Sequence, residues 1–152
     1  MSERAGSCLC GEVTYKVSSD PIAARICWCK DCQKLSANGT ANILVLTDSI
    51  TSTGKLSEFQ KTADSGNIIT RKFCPKCGTH VYANSSVRPQ FTVIRAGTLS
   101  DPSSITPTMN IWNSSAPSWA CLNASLEQVD KQPAHIERLK TPGSHNNTAS
   151  AV

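Results

Sequence analysis

Seven of the eight cysteines fall into three tight groups, and sulfur at such spacing is the raw material of a metal site. In Phe73-Cys74-Pro75-Lys76-Cys77-Gly78 two residues separate the thiols, a proline sets the turn and a glycine admits positive φ. That is one jaw of a tetrahedral zinc site. The other jaw must come from upstream, where Cys8-Leu9-Cys10-Gly11 and Cys27-Trp28-Cys29-Lys30-Asp31-Cys32 both offer ligands. If the first of these joins the turn, Cys8, Cys10, Cys74 and Cys77 form a closed four-thiolate site, and Cys27, Cys29 and Cys32 remain as a group of three. Four thiolates saturate zinc, whereas three leave a coordination position for water or substrate, as metal catalysis requires. Spacing equally permits the turn to pair with two members of the triple group. Cys121 stands alone and reads as a small buried apolar residue.

An even cysteine count also suits four disulfides in a secreted protein. The start, Met1-Ser2-Glu3-Arg4-Ala5-Gly6, has no apolar run of the signal-peptide kind, and no stretch approaches the ~20 apolar residues of a membrane span. The expectation is therefore a soluble, cytoplasmic chain with reduced thiols, and neighbours one or two residues apart share a metal more easily than they reach distant partners. The sequons Asn84-Ser85-Ser86 and Asn113-Ser114-Ser115 would matter only on a secretory route.

The 152 residues, 39% of them hydrophobic, suffice for one domain with its own core. Only 5% are aromatic, so that core is expected to be modest and to lean on a metal. The net charge of +4 suits small anionic ligands. Its basic residues are scattered without a run of five or six, which disfavours a nucleic-acid surface.

The elements that must position these sulfurs read as short strands. Glu12 to Val17 alternates polar and apolar residues directly after the first cysteine pair. Asp20-Pro21 turns the chain, and Ile22 to Ile26 is a strand that delivers Cys27. Lys30 to Leu35 holds one helical turn, broken at Asn38-Gly39. Strands follow at Ala41 to Leu46, Leu56 to Gln60 and Ile68 to Phe73, the last running into the cysteine turn. His80 to Ala83 leaves that turn, so Cys74 to Gly78 caps a hairpin. Phe91 to Ala96 and then Met109 to Trp112, read as the last strand, complete an all-β pattern of short, mainly antiparallel sheets. The domain is expected over residues 5–135, with 136–152 a polar, flexible tail that carries no Lys or Arg from Thr141 to Val152.

The ordered motifs Cys8-x-Cys10-Gly11-x-Val13, Cys27-x-Cys29-x-x-Cys32-x-x-x-Ser36, Arg71-x-Phe73-Cys74-x-x-Cys77-Gly78-Thr79, Ala96-Gly97-Thr98-Leu99, Ile111-Trp112 and Pro117-x-Trp119 resemble the glutathione-dependent formaldehyde-activating enzyme family, or CENP-V/GFA domain. The match spans roughly residues 5 to 122. The resemblance implies a zinc-stapled β-tent, a structural zinc at Cys8, Cys10, Cys74 and Cys77, and a second, labile zinc at Cys27, Cys29 and Cys32. The implied activity is a carbon-sulfur lyase or ligase reaction joining formaldehyde to glutathione, or breaking a glutathione conjugate. Glutathione, or a small molecule conjugated to it, is the implied partner. Two departures stand out. Trp28 replaces the histidine often found between the first two cysteines of the triple group, and Ala37-Asn38-Gly39 stands where a glycine usually follows the serine sooner.

On this reading a substrate thiol becomes the fourth ligand beside Cys27, Cys29 and Cys32 and is driven to thiolate from its usual pKa near 8.5. Three thiolates make the site net negative, which favours sulfur chemistry over hydrolysis. Trp112 and Trp119 are candidates for a cleft wall or for the core. Arg25, Lys30 and Arg95 could hold glutathione carboxylates or be surface charges. His80 is a candidate acid or base, or a strand histidine that satisfies a neighbour; His135 and His145 receive no role. The competing class is a noncatalytic zinc module that binds a protein or nucleic acid.

Overall fold

The computed structural model describes residues 3–133. The polar stretch 136–152, His135 and His145 lie outside them.

The fold is mainly β, as the short alternating runs require. A three-stranded antiparallel sheet has the order β1 (Arg4–Ser7), β2 (Thr14–Val17) and β5 (Ile50–Thr53). An eight-stranded sheet runs β11 (Glu127–Val129), β10 (Met109–Ile111), β3 (Ala23–Cys27), β4 (Thr40–Leu46), β9 (Phe91–Arg95), β8 (His80–Ser85), β7 (Ile68–Phe73) and β6 (Ser57–Thr62). β10 lies parallel to both β3 and β11, and the remaining ladders are antiparallel. One short helix, α1 (Lys30–Ser36), is longer than the single turn read from the sequence.

The alternation of side chains across the strands assigns the two faces of the large sheet. On β4, Ile43 and Val45 enter the core, and on β9 Ile94 joins them. They pack against Val13 and, on the small sheet, Tyr15 and Val17, and Tyr15 meets Tyr82 edge-on at 5.5 Å. Each such aliphatic side chain, fully withdrawn from water, contributes about 1.5–3 kcal/mol. The intervening residues Asn42, Leu44, Val93 and Arg95 point the other way and line a cavity. One sheet thus serves core and site together.

Three strands escape the sequence reading. β1 and β5 are short ladders on the small sheet, and β5, Ile-Thr-Ser-Thr, lacks a second apolar position to mark an inward face. β11 follows β10, so Met109 to Trp112 is not the last strand. Its polar residues carry no periodic signal and are placed by parallel pairing to β10. Trp112 itself leaves the ladder, with φ 62° in the left-handed region. Among the described residues no helix is long and apolar enough to cross a membrane.

Candidate metal centres and cavity

The cysteine turn caps the β7–β8 hairpin, where the register slips between Lys72 and Phe73. Gly78, at φ 74°, donates its N–H to the Cys74 carbonyl at 2.9 Å, and the Cys74 N–H bonds the Thr79 carbonyl at 3.0 Å. Thr79 Oγ1 lies 3.2 Å from Cys77 Sγ and accepts the Leu9 N–H at 3.1 Å, which fastens the turn to the first cysteine loop. That loop is itself closed by a Cys8 N–H bond to the Val13 carbonyl at 2.9 Å, while the Val13 N–H points at Cys8 Sγ. The four sulfurs of Cys8, Cys10, Cys74 and Cys77 lie within 4.8 Å of one another. Separations of 3.6 Å between Cys8 and Cys10 and 3.8 Å between Cys10 and Cys74 match the spacing of about 3.8 Å expected for sulfurs around one tetrahedral zinc. Hydrogen bonds from the Thr79 hydroxyl and backbone hold the Cys77 thiol down at about 5. The Glu12 amide favours ionisation of Cys10, but desolvation and the neighbouring sulfurs carry its thiol up to about 12.

The second cluster is assembled differently. β3 ends on Cys27, which is held between Ile111 of β10 and Thr40 of β4. The chain then turns with an N–H bond from Trp28 to the Ile111 carbonyl, and Cys29 becomes the N-cap of α1, its sulfur accepting from the Cys32 N–H. Asp31 in the first turn suits the positive end of the helix. At the other end Ser36 bonds the Cys32 carbonyl and Thr40 Oγ1, closing α1 onto β4. The three sulfurs also lie within 4.8 Å of one another. Cys27 and Cys29 both donate toward Cys32, and the Arg95 guanidinium faces it, so its thiol falls to about 2 despite burial. Cys29 and Cys32, then burial, push Cys27 upward. Arg95 Nη1 stands 3.8 Å from Cys32 Sγ and donates to Asn42 Oδ1 at 2.7 Å.

The sulfur sets fit zinc in donor type and spacing, and the four-plus-three division is the one the chain brings together. The alternative pairing of the turn with the triple group is not formed.

The triple cluster lines a cavity, whereas the four-sulfur cluster lies at the surface, with Cys10 exposed and Cys77 half-buried. Cys27, Cys29 and Cys32 line a cavity of about 220 Å³ whose walls include Leu44, Val93 and Trp112. Cys29, Arg71 and Trp112 are shared with a wider groove of about 830 Å³. Arg25 borders the inner cavity, Lys30 the outer groove, and Arg95 is buried rather than at the surface. Trp112 is a wall residue, while Trp119 is 65% exposed and belongs neither to the wall nor to the core. Cys121 is likewise exposed, because the connection between β10 and β11 runs over the surface. Trp28 is buried, but it borders neither cavity; its indole lies on Gly39, where a Cβ would come within 2.5 Å of the ring.

His80 borders neither space. It stacks on Phe73 with ring centroids 5.3 Å apart, and its buried Nδ1 has no hydrogen-bond partner among the described residues. Burial, then Arg95 and Arg71, lower its pKa.

Arg71 is the residue whose role the sequence reading missed. Its Nη2 donates to Asp31 Oδ2 at 2.8 Å, while Lys61 Nζ takes Asp31 Oδ1 at 2.6 Å, so Asp31 ties α1 to β6 and β7. The signal was present: a two-residue period puts Arg71 on the face of β7 shared by Ile69 and Phe73.

Such a molecule is, by fold and site, a mainly β protein with one four-thiol cluster and one three-thiol cluster at a cavity, both of metal-ligating composition. Comparison with known proteins is specific. The family model described as glutathione-dependent formaldehyde-activating enzyme matches residues 3–115, and the chain belongs to that family. A crystal structure of a Rhodobacter sphaeroides protein shares the fold at a TM-score of 0.53 and 19% identity, covering 68% of this chain and 91% of that one. No curated protein matches the chain.

Proposed function

We propose that the protein is a zinc-dependent, glutathione-using enzyme that makes or breaks a carbon-sulfur bond, formally a carbon-sulfur lyase. Cys8, Cys10, Cys74 and Cys77 would hold a structural zinc, and Cys27, Cys29 and Cys32 a catalytic one. The observation that carries this reading is the contrast between the clusters: four sulfurs that complete a tetrahedral set by themselves, and three that line a cavity. Zinc bound to three thiolates supplies an open position at which an incoming thiol is acidified.

The protein's own residues do the rest. Arg95 Nη1 faces the Cys32 sulfur, and the Cys32 N–H points at Cys29 Sγ. Leu44, Val93 and Trp112 present apolar surface that excludes water from the sulfur. Lys30, Lys61 and Arg88 border the outer groove, within which the two carboxylates of glutathione find cations. In the forward direction the thiol sulfur bonds to a carbonyl carbon, the π pair moves to oxygen, and the proton lost from sulfur ends on that oxygen. The reverse reaction returns thiol and carbonyl. Formaldehyde is the electrophile that the family's description names.

The test counts zinc per chain with and without glutathione and follows S-hydroxymethylglutathione formation and cleavage of S-substituted glutathiones. Two zinc ions, one removable with loss of turnover, are expected. Full zinc occupancy with no thiol chemistry would instead support a noncatalytic zinc-binding module.

A further inference from the structure

The inner cavity holds more than formaldehyde needs. Formaldehyde has two heavy atoms and no charge, yet the space beside the three sulfurs measures about 220 Å³. A 150 Å³ apolar cavity already admits benzene. Along its walls Ala23, Leu44, Ile69, Val93, Ile111 and Trp112 supply apolar surface. Set among them are three arginines, Arg25, Arg71 and Arg95, and among the described residues no carboxylate lines the space.

Two of these guanidinium groups are more than nine-tenths buried and incompletely paired. Arg71 is 7% exposed and Arg95 8% exposed. Arg71 Nη1 and Arg95 Nε have no partner among the described residues. A buried donor left unmatched costs about 1–3 kcal/mol, more when charged, so each calls for a partner, and an anion in the cavity supplies one. Charge leads to the same conclusion. Asp31 is shared by Arg71 and Lys61, Glu127 acts on Arg25, and a divalent ion among three thiolates leaves one negative charge beside Arg95. Four cations therefore meet three anionic equivalents, and one positive charge is left over.

We infer that the inner cavity is a subsite for an electrophile larger than formaldehyde: a carbonyl compound or thioether-forming partner with an apolar body of about one ring and a single carboxylate, which Arg71 and Arg95 receive. This rests on the thiol chemistry proposed above and names its second substrate. The carboxylate belongs to the electrophile and not to glutathione, since an extended tripeptide spans roughly 10 Å and needs the outer groove. The carboxylate anchors the ring so that its reactive carbon faces the three sulfurs.

The experiment uses the zinc-loaded full chain with benzoate and benzamide as probes, binding being read by calorimetry and ligand-observed NMR. Benzoate is expected to bind at least tenfold more tightly than benzamide, and this comparison on the unmodified chain needs no variant. Arg71→Gln should weaken benzoate about tenfold or more, leave benzamide unchanged and retain both zinc ions. Saturating glutathione, whose thiolate adds one negative charge at the three sulfurs, should weaken benzoate without excluding it. Equal affinity for the two probes, no binding of either, or competitive displacement of benzoate by glutathione would each overturn the proposal. S-hydroxymethylglutathione formation is measured in parallel: turnover without benzoate binding removes the subsite alone, and benzoate binding without turnover removes the glutathione chemistry alone.

Discussion

Cys74 and Cys29 are both ligand candidates, and they differ in what else depends on them. Cys74 is wholly buried at the junction of the hairpin with the first loop, whereas Cys29 lies at the cavity and caps one short helix. A structural zinc contributes its binding energy to folding, and a helix cap contributes about 1 kcal/mol. Cys74→Ser is therefore expected to lose one zinc and about 4–5 kcal/mol. Cys29→Ala should lose the other zinc and all turnover at a cost of about 1 kcal/mol. Zinc stoichiometry and denaturant midpoints on the two variants check this, and equal destabilisation would remove the distinction between a structural and a catalytic site. At this scale the sequence was most informative, because adjacent cysteines announce their chemistry by spacing alone. Arg71, Asn42 and Asp31 were not legible in that way. Their roles depend on partners about 30 to 50 residues distant, and nothing local marks a charged side chain as inward-facing except its place in a strand's alternation.

The connection from β3 through α1 to β4 explains both departures from the family pattern at once. Trp28, where histidine is often found, lays its indole over Gly39, the glycine that arrives late. A Cβ there would stand 2.5 Å from the ring, closer than packed atoms tolerate. Gly39→Ala is expected to cost about 1–3 kcal/mol in the native background. In a Trp28→His background most of that cost should vanish, giving a coupling of at least about 1 kcal/mol in a double-mutant cycle. Additive effects would show that the two positions are independent. The strands that bracket this connection were foreseen with near-correct limits, as their apolar alternation is strong. β1, β5 and β11 were not, since three or four mostly polar residues owe their conformation to the ladder beside them.

Across the whole molecule, the two thiol clusters occupy different relations to the sheets. The four-sulfur group joins the loop after β1 to the β7–β8 turn, thus linking the small sheet to the large one, whereas the three-sulfur group draws all its ligands from one short run of chain. Stepwise chelation of the two-zinc protein should therefore strip first the ion held by only three sulfurs, abolishing turnover with the thermal midpoint moved by less than a few degrees. Removal of the second should lower the midpoint by more than about 10 °C. Calorimetry alongside zinc release measures both, and loss of fold with the first ion would contradict the arrangement.

The linkage between Cys8-Cys10 and Cys74-Cys77 also bears on how the chain opens. The small sheet is otherwise tied down by the shared core, the Gly6–Leu99 bridge and a Ser100 N–H bond to the Ala5 carbonyl. Without its rivet the amino-terminal hairpin becomes the flap with the lowest local unfolding energy, and amide protons of β1 and β2 should exchange with deuterium well before those of β4 and β9. A cell short of zinc would then present proteases with a frayed leading edge on an otherwise intact sheet, so metal supply would govern the lifetime of the protein as well as its chemistry.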